Sequence, residues 1–266
     1  MLKRCVLMML AFLAAPAVAP AVELKNFRAC YAPLPFGATR ADAKCLPGDF
    51  LFLTYDIEGL KFDDKTGKAS FVTVLELFDD QAKLIFNKET PNEVVPHLGG
   101  SRMPGDLHVQ MGRSQKAGKY RIRLTVLDRH SKEQKSHVYS FDLLPQTFGI
   151  AGIVAPAIGF PGQHHSTEFA LVDLALDDKK QPDVEVTMRV LDDSGKQVAT
   201  PIVSTLPRDL PAGADLEKEN FVPMRYPIYL NRSGRFTIDI LAKDNISKKE
   251  ARLKYQLNVL DFAGGK

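Results

Sequence analysis

The sequence predicts an all-β protein made of two tandem β-sandwich domains of seven strands each, preceded by an N-terminal signal peptide. Three observations support this prediction. Apolar and polar residues alternate along short segments such as 120–127, which is the pattern of a half-buried strand. A long helical period is not found after residue 21. A shift of 116 residues superposes Gly118–Asp128 on Gly234–Asp244, which indicates an internal repeat.

Fourteen segments have the pattern of strands, seven in each repeat. In the first repeat they lie at 24–31, 50–57, 71–78, 83–88, 106–112, 119–127 and 137–144. In the second they lie at 147–154, 168–174, 184–191, 197–205, 222–230, 235–242 and 251–260. We therefore expect domains at residues 22–145 and 146–266, joined by a linker too short for free motion.

The sixth strand of each repeat begins with the same pattern, a glycine followed by an aromatic residue and an isoleucine at alternate positions. These segments are GKYRI at 118–122 and GRFTI at 234–238. They resemble the Gly-x-Tyr-x-apolar start of that strand in immunoglobulin-like (Ig-like) sandwiches, which also place seven strands in a domain of about this size. The resemblance implies that the Tyr120 hydroxyl bonds to the preceding corner, whereas Phe236 has no hydroxyl. It implies no particular function.

Two further features make the chain similar to the Ig-like domains of exported bacterial proteins rather than to antibody domains. An isoleucine stands in both repeats where antibody domains carry a cysteine, and the chain has no tryptophan. The N-terminus has the pattern of a signal peptide, with Lys3 and Arg4 before an apolar stretch and a small-x-small site at Ala19-Pro-Ala21. We therefore expect a periplasmic or secreted protein whose mature chain starts near Val22. An uncleaved anchor is the alternative.

Composition excludes several classes of protein. With 45% hydrophobic and 25% charged residues, the chain is neither disordered nor collagenous, and its mature part contains no transmembrane span. The formal net charge is only +3, which gives no electrostatic basis for binding nucleic acid. The oligomeric state is not predictable from the sequence.

Cysteine usage agrees with export. Cys5 belongs to the leader, which leaves Cys30 and Cys45 in the mature chain. An even pair in an oxidising compartment predicts a disulfide, which would contribute about 3 kcal/mol to stability in the chain-entropy model. Two free thiols are the alternative.

Acidic residues in the turns make calcium the one candidate cofactor. The second-to-third and sixth-to-seventh strand loops should meet at one end of each sandwich. That end is the outer tip in the first repeat and the domain junction in the second. Six aspartates would gather at these two ends, and their oxygens are suitable calcium ligands. They are Asp63, Asp64, Asp128, Asp177, Asp178 and Asp244. Capping of the turns by the same side chains is the alternative interpretation.

The segment Thr90–Gly105 is predicted to be a long loop, and loops of this length often carry function. Its candidate binding residues are His97, Arg102 and His108. The adjacent pair His164 and His165 should point to opposite faces of a strand, which makes it a poor metal chelator.

No catalytic residue is predicted, because the motifs of serine hydrolases, zinc proteases and phosphate-binding loops are absent from the sequence. The leading hypothesis is a non-catalytic exported protein without cofactor, acting as an envelope structural module or as an adaptor for an envelope or extracellular protein. Two alternatives remain open. One is a periplasmic chaperone with two Ig-like domains, and the other is an accessory subunit of an extracytoplasmic hydrolase.

Overall fold

The computed structural model of the protein describes residues 21–33, 37–212, 214–216, 218 and 220–261. All sixteen regular elements within these ranges are β-strands, which confirms the all-β prediction. Of the expected signal peptide at 1–21, residues 1–20 lie outside the described ranges. Among the described residues, no helix is long and apolar enough to cross a membrane.

Strands β1–β8 form a first sandwich of two sheets. The smaller sheet has the order β1-β3-β6, and the larger has the order β2-β8-β7-β4-β5. All pairs are antiparallel except β2 with β8. The strands are β1 Glu23–Cys30, β2 Lys44–Cys45, β3 Phe50–Glu58, β4 Ala69–Phe78, β5 Leu84–Val94, β6 Met103–Gln110, β7 Gly118–Asp128 and β8 Gln134–Leu143.

Strands β9–β16 repeat this topology in a second sandwich. Its sheets have the orders β9-β11-β14 and β10-β16-β15-β12-β13, and only β10 and β16 pair in parallel. The strands are β9 Gly149–Val154, β10 Ile158–Gly159, β11 His164–Val172, β12 Val184–Asp192, β13 Ile202–Leu206, β14 Phe221–Tyr229, β15 Gly234–Asp244 and β16 Glu250–Val259. The fourteen expected strands are therefore present, and β2 and β10 are short additions that the sequence did not indicate.

Alternation along the strands builds one core in each sandwich. The inward side chains of β7 and of its counterpart β15 are buried, and they are Tyr120, Ile122, Leu124 and Val126 in the first and Phe236, Ile238, Ile240 and Ala242 in the second. The Tyr120 hydroxyl donates to the Lys116 carbonyl oxygen at 2.7 Å. This bond confirms the tie to the preceding corner that the Ig-like resemblance implied.

The two sandwiches contact each other through apolar side chains. Leu46, which follows β2, packs against Ala151, Ala170 and Val172 of the second sandwich. Tyr31 and Ala38, both from the segment between β1 and β2, lie in the second core. The Ala38 N–H donates to the Ala155 carbonyl at 3.0 Å, and the Ala155 N–H donates to the Tyr31 carbonyl at 2.8 Å. The segment after β1 thus completes the second sandwich.

A buried ion pair reinforces this contact. Asp49 is almost fully buried and accepts from a nitrogen of the Arg40 guanidinium at 2.7 Å. The other Asp49 oxygen accepts from the N–H of Gly152, in β9, at 2.9 Å. Burial opposes the charge of Arg40, but the neighbouring Asp49 raises the pKa of Arg40 overall. The pair therefore connects the start of β3 to the second sandwich.

Two expectations need correction. The disulfide is not formed, because Cys30 and Cys45 are buried free thiols on strands of opposite sheets. Burial raises the pKa of Cys45 to about 12. Half of the expected loop Thr90–Gly105 is strand, because β5 pairs with β4 as far as Val94 and β6 begins at Met103. Only residues 95–102 connect the two strands.

Candidate functional site

The first sandwich has an open cleft of about 820 Å³ between the edge strands of its two sheets. Strand β5 ends the larger sheet and β6 ends the smaller one, so neither has a second neighbour. Side chains of β4, β5 and β6 form most of the cleft. Its lining is Phe50, Tyr55, Ile57, Phe71, Thr73, Leu75, Leu77, Ile85, Phe86, Lys88, Thr90, Asn92, Val94, Pro104, Gly105, Asp106, Leu107, His108, Val109, Gln110, Gln115 and Leu124.

The cleft is open because several inward-facing residues of β4 and β5 are polar or only half-buried. Thr73 and Leu75 of β4 face the core side but are only half-buried. They pair with Thr90 and Lys88 of β5, and the next inward pair on these strands is Phe71 with Asn92. Three consecutive inward positions of β5 are therefore polar, where a closed sandwich carries apolar side chains.

The second sandwich shows how part of the equivalent edge is closed. Asp128 and Asp244 pair with Phe71 and Val184 respectively, which aligns β4 with β12. In this alignment the counterparts of Thr73 and Leu75 are Val186, 0% exposed, and Met188, 2% exposed. The counterparts of Lys88, Thr90 and Asn92 are Ile202, Ser204 and Leu206. Leu206 is 1% exposed, whereas Ile202 at the other end is 37% exposed.

The connections after these edge strands also differ. In the second sandwich, Ala214 and Leu216 lie between β13 and β14 and pack against the core. In the first sandwich the connection at 95–102 leaves Leu98 fully exposed and Val95 exposed by 38%. Apolar residues of this connection therefore pack against the core in the second repeat and remain exposed in the first.

Hydrogen-bonding groups line the β5 side of the cleft. The Asn92 side-chain amide donates to the Thr73 hydroxyl at 3.2 Å and to the Thr90 carbonyl at 2.9 Å. The Thr73 hydroxyl donates to the same carbonyl at 3.3 Å. The Asn92 amide nitrogen is thus held in place, and the Asn92 side-chain oxygen is left as an acceptor without a partner among the described residues.

A tyrosine reaches the cleft from the opposite sheet. The Tyr55 ring lies beneath Gly105 of β6, so close that a Cβ at Gly105 would come within 2.6 Å of it. Tyr55 is 6% exposed, and its hydroxyl has no hydrogen-bond partner among the described residues. Burial, followed by the charge of Asp106, raises the pKa of Tyr55 to about 12. A neutral hydroxyl is therefore available to a bound group at neutral pH.

The three residues expected in the binding loop are not brought together. His97 is exposed in the 95–102 connection. Arg102 forms an ion pair at 2.7 Å with Asp56, a buried β3 residue that also accepts from Asn26. His108 lies on β6 beside Phe52, with ring centroids 5.9 Å apart, and it lines the cleft.

In the first repeat, the predicted tip aspartates act as turn and loop caps. Asp128 is fully buried, and its carboxylate accepts from the N–H groups of Lys61 at 2.7 Å and His130 at 2.8 Å. Burial raises the pKa of Asp128, but these bonds lower it below the usual value overall. Asp63 accepts from the Thr66 N–H and hydroxyl, and Asp64 is exposed.

The second repeat uses the same bonds. Asp244 is buried and accepts from the N–H groups of Ala175 at 2.9 Å and Ile246 at 3.0 Å. Asp177 caps its own turn, and Asp178 is exposed. These bonds confirm that the second-to-third and sixth-to-seventh loops meet in each repeat. Within the described ranges, however, no three His, Cys, Asp or Glu side chains are placed to hold a metal ion.

The histidine pair divides between two environments, as its alternation predicted. His164 is exposed and lies near the Tyr229 ring. His165 is buried and bonds through its Nε2 to the Tyr255 hydroxyl at 2.9 Å, and the same hydroxyl contacts the Thr167 hydroxyl at 2.5 Å. Burial lowers the pKa of His165 to about 4. This group lies in the second core and is separate from the cleft.

Sequence reasoning missed Thr73, Lys88 and Asn92 as cleft residues. Their signal is a difference between the repeats, because three inward positions of β5 are polar whereas two of the three β13 counterparts, Ile202 and Leu206, are apolar. The difference becomes visible only when the two edge strands are aligned through their pairing with β4 and β12. The sequence predicted this edge strand at 197–205, whereas β13 spans Ile202–Leu206. The predicted bounds therefore do not align β13 with β5.

No protein-family model and no curated protein matches the chain. Among solved structures, a red sea bream transglutaminase matches with a TM-score of 0.31 and 7% identity, over 92% of this chain and 32% of the transglutaminase. This chain thus spans about a third of that protein. The fibronectin(III)-like modules of Clostridium thermocellum CbhA match with a TM-score of 0.25 and 11% identity, over 92% of this chain and 97% of the modules.

Proposed function

We propose that this chain is a non-catalytic, exported binding protein without a cofactor, and that the cleft between β5 and β6 holds an extended segment of an envelope or extracellular protein. The second sandwich provides the main support. There, Ala214 and Leu216 of the chain's own β13–β14 connection pack against the core, and Leu206 at the end of the equivalent edge strand is 1% exposed. By analogy, we infer that a polypeptide segment with apolar side chains can pack against the open edge of the first sandwich.

The chemistry of the cleft suits a peptide. Its floor is apolar, from Phe71, Leu75 and Leu124, and suits apolar side chains. The Asn92 oxygen and the Tyr55 hydroxyl are suited to backbone N–H and C=O groups. Because Pro91 and Pro104 each remove a donor from an edge strand, recognition depends on the side chains of the cleft more than on a continuous β-ladder.

The test is a selection of displayed random peptides as long as β5, 11 residues, on the immobilised protein. The same selection is run on Thr90→Trp, which fills the cleft, and on Glu89→Trp. Glu89 is exposed, and alternation places it on the outer face of the same strand. Supporting peptides bind the wild type and Glu89→Trp equally and lose at least about tenfold in affinity with Thr90→Trp. Peptides that bind all three proteins alike would refute the proposal, as would a failure to select any.

One observation favours a second function, that of a chaperone. The β5 edge exposes three consecutive large apolar residues, Leu84, Ile85 and Phe86, each by more than 40%. Such an edge can pair with a strand of an unfolded client. A chaperone would suppress aggregation of many denatured exported proteins, and Ile85→Lys would weaken that effect. Suppression that the substitution leaves unchanged would exclude the edge as the chaperone surface.

A further inference from the structure

The inference concerns Lys88, the one lysine among the residues that line the cleft. Its side chain lies on the inward face of β5, between Phe86 and Thr90, and it pairs with Leu75 of β4. The corresponding residue of the second sandwich is Ile202. Lys88 is exposed at this edge and is the one lysine in the lining, so it is the cation that a carboxylate of a ligand in the cleft would meet.

The surrounding groups leave the Lys88 charge unneutralised. Among the described residues, Lys88 forms no ion pair and no hydrogen bond. Glu89 and Glu93 lie on the other face of β5, and Glu93 is paired with Lys68. Asp106 is the one carboxylate in the lining, it lies on β6, and it is not paired with Lys88.

We propose that the cleft selects extended peptide segments that carry a carboxylate between apolar residues, with Lys88 as the residue that binds the carboxylate. This rests on the proposed function of the cleft and adds the chemistry of its partner. A charge-assisted hydrogen bond from Lys88 to a carboxylate is stronger than a hydrogen bond between neutral groups. The Asn92 oxygen and the Tyr55 hydroxyl then orient the backbone of the segment around that contact.

The test compares 11-residue peptides selected by the wild-type protein with matched peptides in which each Asp or Glu is replaced by Asn or Gln. Both sets are titrated against the wild type, Lys88→Ile and Lys83→Ile. Lys88→Ile introduces the residue type of the second sandwich, so the fold should be retained. Lys83 lies in the exposed turn before β5 and is not part of the lining, so it controls for the loss of one positive charge.

The proposal predicts an acidic residue in most selected peptides and about a tenfold preference over the amide peptide. That preference should vanish in Lys88→Ile and remain in Lys83→Ile. If cleft-dependent peptides show no acidic enrichment, or Lys88→Ile keeps the preference, the role of Lys88 is wrong and the peptide cleft stands. If Thr90→Trp lowers the affinity of no selected peptide, the cleft itself is not the binding site.

Discussion

Asn92 and Leu206 occupy the same position in the two sandwiches, opposite Phe71 and Val184, yet one borders an open cleft and the other is 1% exposed. Exchanging their residue types should therefore have unequal effects. Asn92→Leu should change the free energy of unfolding by less than about 1 kcal/mol, because Asn92 is only half-buried. Leu206→Asn should lower it by about 3 kcal/mol, because it buries an amide without a partner. Urea unfolding measures both, and equal effects would contradict the difference in burial between the two positions.

Asp128→Asn should destabilise the protein by about 2–3 kcal/mol, because the amide nitrogen faces backbone N–H donors that the carboxylate now accepts. The exposed Asp64→Asn is the control and should change stability by less than about 0.5 kcal/mol. The pKa of Asp128 is lowered in the fold. Its contribution is therefore present above the unfolded value and lost as pH falls below about 4. Equal urea midpoints for the two variants would refute the capping role.

The second core should become less stable under mildly acidic conditions. Burial lowers the pKa of His165 from 6.5 to about 4, so the unfolded chain binds the proton more readily. The neutral histidine thus stabilises the fold fully above about pH 6.5, and up to about 3 kcal/mol is lost as pH falls to 4. His165→Gln should flatten this part of the stability profile, whereas the exposed His164→Gln should not. A profile unchanged by His165→Gln would show that another group is responsible.

Arg40→Met should destabilise the junction between the sandwiches by about 3–5 kcal/mol, because it leaves the Asp49 carboxylate buried without its cation. The loss should appear in calorimetry as two separated transitions in place of a coupled one. Arg208→Met removes a cation from an exposed pair with Asp209 and should leave the unfolding transition nearly unchanged, because solvent screens exposed pairs. A single transition with similar losses in both variants would contradict the coupling.

Much of the fold could be predicted because apolar and polar residues alternate with a period of two along its strands. Alternation in segments such as 120–127 identified the strands, and the 116-residue shift identified the duplication. The corner bond of Tyr120 followed from the Ig-like resemblance, and the meeting of loops at Asp128 followed from the topology. The free thiols could not be predicted, because cysteine count and export say nothing of which sheet each cysteine joins.

The cleft was beyond sequence reasoning for a different physical reason. Polar residues such as Thr90 and Asn92 at the end of a strand are typical of a turn, and only pairing with β4 shows that they continue β5. Whether such residues face solvent or an inter-sheet space depends on the length of the following connection. That connection is short in the first repeat, whereas in the second repeat residues of the connection pack against the core.

The most direct measurement is hydrogen exchange of the backbone amides with and without a selected peptide at saturation. Binding in the cleft predicts slower exchange in β5, Leu84–Val94, and in β6, Met103–Gln110, with no change in the β13 edge of the second sandwich. Thr90→Trp should abolish the protection. Protection confined to the aspartate turns or to the second sandwich, with β5 and β6 unchanged, would contradict the assignment of the cleft as the binding site.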